Sequence, residues 1–320
     1  MDSKNTLLVT GSTGQIGSEL VTELRKKWGN DRVVAVFHNR PPTAKQISEG
    51  PCIKVDLFSE DDILNVLKKW NVTQVYHLAA ILSAKGEKEP QEAWKVNMGT
   101  LYNILEAGRK VGLEKIFWPS SIAVFGPASP RWMTPQETVL NPISMYGVTK
   151  VAGELLCNYY YKKYGLDVRS VRFPGIISSD TMPGGGTTDF AVEIFYEALL
   201  KERYTCFVRE DTRLPMMYMP DCLKCILDIM NAPATNIKRH DAYNVSSMNF
   251  SAGELVAEIR HHLPRLEVDY VPDERQTIAD SWPMSLDDSQ ARRDWGWNPD
   301  YDLSKMVSDM IQRLREKFTK

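Results

Sequence analysis

The sequence predicts an α/β fold built on a doubly wound parallel sheet, and three features predict it. Short apolar runs rich in β-branched residues alternate with helical patterns through the first 175 of the 320 residues, giving six strands. The first run, Thr6-Leu-Leu-Val-Thr10, passes straight into Gly11-Ser-Thr-Gly14-Gln-Ile-Gly17, which opens a helical pattern. Past residue 175 the alternation stops, and a Pro- and Gly-rich segment leads into shorter mixed elements. The expected architecture is therefore Rossmann-like. A dinucleotide-binding domain covers 1–175, with segments returning to it from the C-terminal half, and a smaller C-terminal α/β substrate-binding cap covers 176–320.

Taken in order, the run 6–10 is a buried strand, and the helix after it extends to about residue 28 on Ile16, Leu20, Val21 and Leu24. In the loop between them, Gly11 permits the tight turn, Gly14 lets backbone approach a pyrophosphate, and Gly17 lets helix and strand pack closely. The free N–H groups of the helix start face the phosphates. The spacing is GxxGxxG, and its place between strand and helix carries the reading. A second strand, 32–37, ends in Phe37-His-Asn-Arg40, where dinucleotide folds often place an acid on the ribose hydroxyls. Arg40 reads either as a partner for a 2′-phosphate, a route to NADP, or as a solvated arginine before Pro41-Pro42. A third strand, 52–55, ends at Asp56-Leu57, where a carboxylate can accept from an adenine amino group.

A helix over 61–70 leads to a fourth strand, 74–78, followed by Ala79-Ala80, small enough for a cofactor to lie against the backbone. A long helix spans 90–111 and contains Asn97. A fifth strand, 115–119, delivers Ser120-Ser121 at its C-terminal end, where ligands of parallel sheets bind. The helix 144–164 carries Tyr146 and Lys150, and a sixth strand, 167–173, precedes Pro174-Gly175. Pro183-Gly-Gly-Gly186-Thr-Thr-Asp189 is a mobile loop by composition. Helices at 190–201, from 221 and at 251–262, an apolar run at 214–219 and a strand at 242–245 complete the reading.

The chemistry is concentrated in Tyr146-Gly-Val-Thr-Lys150 and Ser121. A tyrosine and a lysine four apart share one helix face, so the ammonium can hold the phenol close to ionisation. A phenolate is a base for a secondary alcohol, a phenol is the acid for a ketone, and a serine hydroxyl can hold the same oxygen. Alcohol–ketone redox chemistry needs a hydride acceptor, and the glycine loop is suited to hold one.

Composition bounds the partners. With 39 Lys and Arg against 41 Asp and Glu, the formal charge of −2 predicts neither a nucleic-acid surface nor a polybasic membrane patch. No apolar run approaches a membrane span. The short polar stretch 1–5 before the first strand predicts no presequence, and so a cytoplasmic protein. Five scattered cysteines read as reduced thiols; Cys222-Leu-Lys-Cys225 lacks a partner motif and sits in a helical pattern, so both are expected buried and no metal is expected.

The YxxxK helix, Ser121-Ile-Ala-Val-Phe-Gly126 and the glycine loop together resemble the extended short-chain dehydrogenase/reductase superfamily. Longer stretches resemble its L-threonine 3-dehydrogenases: Ala80-Ile-Leu-Ser-Ala84, Pro183-Gly-Gly-Gly-Thr-Thr-Asp-Phe190, Leu214-Pro-Met-Met-Tyr-Met219, and Ser281-Trp-Pro with Asp287-Asp-Ser-Gln-Ala-Arg292. The resemblance implies oxidation of L-threonine to 2-amino-3-oxobutanoate with NAD, without metal, in a homodimer. It implies Tyr146 as base, Lys150 as its electrostatic support and Ser121 as holder of the substrate oxygen. Gly11, Gly14, Gln15, Ile16 and Gly17 would hold the pyrophosphate, and Asp56 and Leu57 the adenine side. Leu78, Ala79, Ala80, Phe173 and Ile176 would adjoin the cofactor. Ser83, Gly186, Thr187, Thr188 and Trp282 would hold the amino acid, with cap core as the alternative reading of Trp282. Asn97 reads either as a proton-relay member or as an ordinary helix polar residue. One departure stands out: Phe37 occupies the place of the family's ribose-binding aspartate. Competing readings are a nucleotide-sugar 4-epimerase or dehydratase of the same superfamily and a non-catalytic cofactor sensor.

Overall fold

Strand β1 (Thr6–Thr10) has all five residues buried because sheet and helices surround it. In the computed structural model, which describes residues 5–182, 184 and 186–319, it is followed by α1 (Gln15–Trp28), β2 (Val33–Phe37), α2 (Ala44–Glu49) and β3 (Cys52–Lys54). Next come α3 (Glu60–Lys69), β4 (Val72–His77), α4 (Ser83–Lys88), α5 (Pro90–Val111), β5 (Lys115–Phe117), β6 (Ser120–Ser121), α6 (Met145–Tyr164), β7 (Val168–Arg169) and β8 (Val171–Phe173). Residues 1–4, Pro183, Gly185 and Lys320 lie outside the described residues, and with them part of the predicted mobile loop.

The main sheet has six strands in the order β3-β2-β1-β4-β5-β7, all parallel. Successive side chains of β1 leave on opposite faces. Leu7 and Val9 join a core with Leu20, Val21 and Leu24 of α1, while Leu8 joins a core with Leu67 of α3, Leu101 and Ile104 of α5 and Cys157 of α6. Each such buried aliphatic side chain contributes roughly 1.5–3 kcal/mol. Strand order reverses between β1 and β4, which opens a crevice at their C-terminal ends.

The remaining chain forms β9 (Gly175–Ile177), α7 (Phe190–Lys201), β10 (Arg203–Cys206), β11 (Arg213–Tyr218), α8 (Met219–Asn231), β12 (Tyr243–Asn244), β13 (Met248–Ser251), α9 (Ala252–His262), β14 (Glu267–Tyr270), α10 (Arg275–Ser281), α11 (Ser289–Trp295) and α12 (Leu303–Phe318). Strands β9, β11 and β13 form one small sheet, β10 and β14 another. Helix α8 returns to the α1 face, where Cys222 and Cys225 are buried beside Leu7 and Val9 in the same apolar core.

Two predicted strands are broken. The run 115–119 stops at Phe117, since Pro119 has no N–H to donate, and the chain resumes as β6. The run 167–173 divides into β7, which pairs with β5, and β8, which pairs with β6 and β12. Helices α2, α4, α10, α11 and α12 and strands β9, β10, β13 and β14 were not expected from the sequence.

Candidate active site

The glycine loop is shaped by contacts that exclude side chains. Gly11 has φ +67°, and a Cβ there would sit 2.8 Å from the Ala79 nitrogen. A Cβ on Gly17 would sit 2.1 Å from the Gly11 carbonyl oxygen, so α1 can lie this close to β1 only with glycine there. Gly14, the N-cap of α1, meets nothing beyond the Gly11 oxygen at 3.2 Å, and its other side faces a cavity of about 230 Å³. A backbone cradle bordering open space at a helix start suits a dinucleotide pyrophosphate. Gln15 Nε2 donates to the Ile176 carbonyl at 3.4 Å, tying the loop to β9.

Three predicted catalytic side chains meet in the same cavity: Ser121 from β6, and Tyr146 and Lys150 from the first turns of α6. Ser144 caps α6 by accepting from Gly147 N at 3.1 Å. Gly147 packs so tightly that a Cβ would lie 2.2 Å from the Ala123 oxygen, which sets the helix against the segment after Ser121. The Ser121 hydroxyl hydrogen-bonds the Tyr146 phenol. Lys150 Nζ donates to the Pro119 carbonyl at 2.6 Å and lies 5.4 Å from the Tyr146 ring centre. Beneath them the buried Glu154 carboxylate accepts from Ser120 Oγ at 2.5 Å and from Arg172 at 2.8 and 2.9 Å. This ion pair, 2–3% exposed on each side, anchors β6 to α6 one residue away from Ser121.

The electrostatics differ from the sequence reading. Burial pushes Tyr146 up to about 12, partly offset by the Ser121 hydrogen bond. Burial brings Lys150 down to about 7, against the opposing effect of Cys157 and Glu154. In this pocket desolvation outweighs any pull of the lysine on the phenol.

The opposite wall comes from the loop before α7 and from α10. Thr187 is 1% exposed, and its hydroxyl has no hydrogen-bond partner among the described residues. Asp189 accepts from Gly186 N at 2.6 Å, holding the loop turn. Gly175 permits the close approach of Thr188, whose Cβ would lie 2.7 Å from a side chain there. Trp282, 5% exposed, closes the cavity at the end of α10.

The sequence profile of the NAD dependent epimerase/dehydratase family matches residues 7–246. The chain belongs to that family. This member of the epimerase/dehydratase family is similar to mitochondrial L-threonine 3-dehydrogenase of Bos taurus, at 45% identity over 95% of this chain and 81% of the relative. It is similar to a solved GalE-like L-threonine dehydrogenase from Cupriavidus necator in its holo form, with 47% identity, TM-score 0.94, and coverage of 97% and 99%. It is likewise similar to a solved L-threonine 3-dehydrogenase from a metagenome, described as monomeric, with 47% identity, TM-score 0.94, and coverage of 98% and 99%.

In this family member the cavity gathers most of the residues expected from the sequence: Gly11, Gly14, Gln15, Ile16, Gly17, Leu78, Ala80, Ser83, Ser121, Tyr146, Lys150, Phe173, Ile176, Gly186, Thr187, Thr188 and Trp282. Four expected residues do not line it. Ala79 contributes backbone behind Gly11. Asp56 is exposed at the end of β3, with Oδ1 accepting from Phe58 N at 2.9 Å, and Leu57 is buried beside it. Asn97 accepts from Ile81 N and donates to Ile81 O and Thr149 Oγ1, so it braces the segment after β4. Residues overlooked include Leu82, Pro119, Ile122, Pro174, Gly175 and Asp189. Pro174-Gly175, directly after a strand, was the available signal for the last group.

Proposed function

We propose that this chain is a short-chain L-threonine 3-dehydrogenase, oxidising the 3-hydroxyl of L-threonine to 2-amino-3-oxobutanoate with hydride transfer to NAD+. The observation carrying this reading is one cavity lined at once by the glycine loop, by Ser121, Tyr146 and Lys150, and by Thr187, Thr188 and Trp282. The threonine dehydrogenases that it resembles over nearly its full length support the choice of substrate.

A bound nicotinamide dinucleotide supplies an electrophilic ring carbon that accepts hydride. The loop Gly11–Gly17 holds its pyrophosphate. Ser121 donates to the substrate oxygen, and Tyr146 takes the hydroxyl proton while the carbon bearing that hydroxyl gives up hydride, so that the O–H electron pair forms the carbonyl and the C–H pair passes to the dinucleotide. Lys150 stabilises the phenolate. Ser83 and the unpartnered Thr187 hydroxyl, with Thr188, hold the amino acid, and Trp282 excludes water. Residues 1–175, with Ile176 returning to them, supply the dinucleotide side of this assignment, and Thr187, Thr188 and Trp282 from 176–320 meet Ser83 and Ser121 on the amino-acid side.

Dinucleotide reduction with L-threonine and with L-serine, beside product analysis of UDP-glucose, because epimerisation and dehydration return the hydride and leave no reduced dinucleotide, tests the proposal. Threonine is expected to be oxidised fastest. Turnover of UDP-glucose with none of threonine would replace this reading by that of a sugar-nucleotide enzyme.

The proposal includes a cytoplasmic homodimer joined through α5 and α6. Those helices expose Trp94, Tyr102, Val148, Leu155 and Tyr159, an apolar face suited to a second copy. Sedimentation should give a dimer that Leu155→Arg converts to a folded monomer; a wild-type monomer, as described for one relative, would reject this part alone.

A further inference from the structure

A second cavity, of about 1100 Å³, touches the other side of the glycine loop at Thr13 and is lined also by Arg40, Thr43 and Lys45. The segment between β2 and α2 is fixed there by buried contacts. Gln46 Nε2 donates to the Ser12 carbonyl at 3.0 Å, and its Oε1 accepts from Thr43 N at 3.0 Å. Arg25 in turn donates to the Gln46 carbonyl at 2.6 Å. Arg40 and Thr13 therefore face one space from two braced segments.

The charges around that space are not equivalent. Lys26 lies 4.0 Å from Glu23, Lys45 3.8 Å from Glu49, Lys224 3.7 Å from Asp228, and Arg313 2.7 Å from Asp309. Lys27 lies over the Trp28 ring. Arg40 alone of the cations lining the cavity has no ion pair, hydrogen bond or ring contact among the described residues. No acid stands between Phe37 and Lys45 to take ribose hydroxyls; at the end of the neighbouring strand β3, Asp56 Oδ1 accepts from Phe58 N, and the carboxylates lining the cavity are those of Glu19, Glu23, Asp180 and Asp228. An acid at the end of β2 selects an unphosphorylated ribose, whereas an arginine nearby accepts a 2′-phosphate. Guanidinium matches phosphate geometry and does not lose its charge.

We infer that Arg40, with the Thr13 hydroxyl, forms a subsite for the 2′-phosphate of an adenine dinucleotide, so that the chain takes NADP as well as NAD. The inference rests on the dinucleotide reading proposed above. It is tested by calorimetric titration of the full chain with adenosine 2′,5′-bisphosphate and with 5′-AMP, which differ by the 2′-phosphate alone. The bisphosphate is expected to bind about tenfold tighter or more at low salt, as for a charge-assisted contact. Because Arg40 is exposed, that preference should shrink as salt is raised. Arg40→Ala should remove the preference and Arg40→Lys should keep part of it. Equal affinities in the wild type, or a preference untouched by Arg40→Ala, overturn the inference while leaving the dinucleotide reading intact. Failure of both nucleotides to bind overturns the two together.

Discussion

Tyr146 and Lys150 share a pocket that disfavours charge on either, holding the phenol near 12 and the ammonium near 7. The proposed reaction requires the opposite assignment, a phenolate beside an ammonium. Burial opposes the phenolate, and the positive charge of a bound oxidised nicotinamide would favour it by Coulomb attraction. Only the Tyr146 oxygen carries the proton, so Tyr146→Phe tests the role with little change of shape. Turnover should fall by roughly 10²–10⁴, the range for a lost general base. Dinucleotide affinity, read by titration in the same variant, should stay within about twofold, since the ring and Lys150 remain. Retained turnover would exclude Tyr146 as the proton acceptor.

The glycine loop makes the corresponding case for α1. A Cβ on Gly17 would lie 2.1 Å from the Gly11 oxygen and 3.1 Å from Ser12 Cα, both backbone-borne atoms with no side chain to swing away. Gly17→Ala should therefore displace α1 from β1, costing on the order of 1–3 kcal/mol in a chemical-denaturation measurement and weakening dinucleotide binding. Unchanged stability and binding would mean that the loop tolerates a wider helix–strand gap than its packing implies. This part of the molecule was legible because strand, glycines and helix follow one another within 23 residues, from Thr6 to Trp28. Tyr146, Lys150 and Ser121 were legible for the same reason: local spacing determines which side of a helix or strand end they occupy. What escaped notice depends on distant partners. Nothing local to Val168–Phe173 says that its two halves join different sheets, since β5, β6 and β12 decide that. Helix α4 is six residues long and contains Gly86, too little for periodicity to register. Helix α12 is different: Met306, Val307, Met310, Ile311 and Leu314 form a buried stripe at helical spacing, a signal that the sequence offered and that was not used.

At the scale of the whole molecule, one contribution to acid stability comes from a histidine between sheet and helix layer. His77, at the end of β4, has Nδ1 2.7 Å from Thr10 Oγ1 and Nε2 3.3 Å from Thr100 Oγ1. The Thr100 hydroxyl donates to the Val96 carbonyl at 2.8 Å, so it accepts from Nε2–H, and Nδ1 accepts from Thr10. A second proton would have to go on Nδ1, where Thr10 already donates. Burial first, and the nearby Lys150 charge second, bring His77 from 6.5 to about 3. The unfolded chain therefore binds the proton first as pH falls below 6.5, and the folded state loses stability until about pH 3. The slope from this one residue is at most about 1.4 kcal/mol per pH unit. Glu19 of α1 acts with the opposite sign. Burial raises its carboxyl from 4.5 to about 7, so its contribution is full below pH 4.5 and is lost as pH rises through 7. The two windows overlap, and the overall pH profile mixes both groups. The difference between wild type and His77→Gln removes the Glu19 share, because that carboxyl titrates equally in each. Unfolding free energies measured from pH 7 downward should diverge, with the wild type falling more steeply than the variant below 6.5. Parallel curves would show that His77 takes up its proton in the folded state without penalty, and that the two threonines do not hold it neutral.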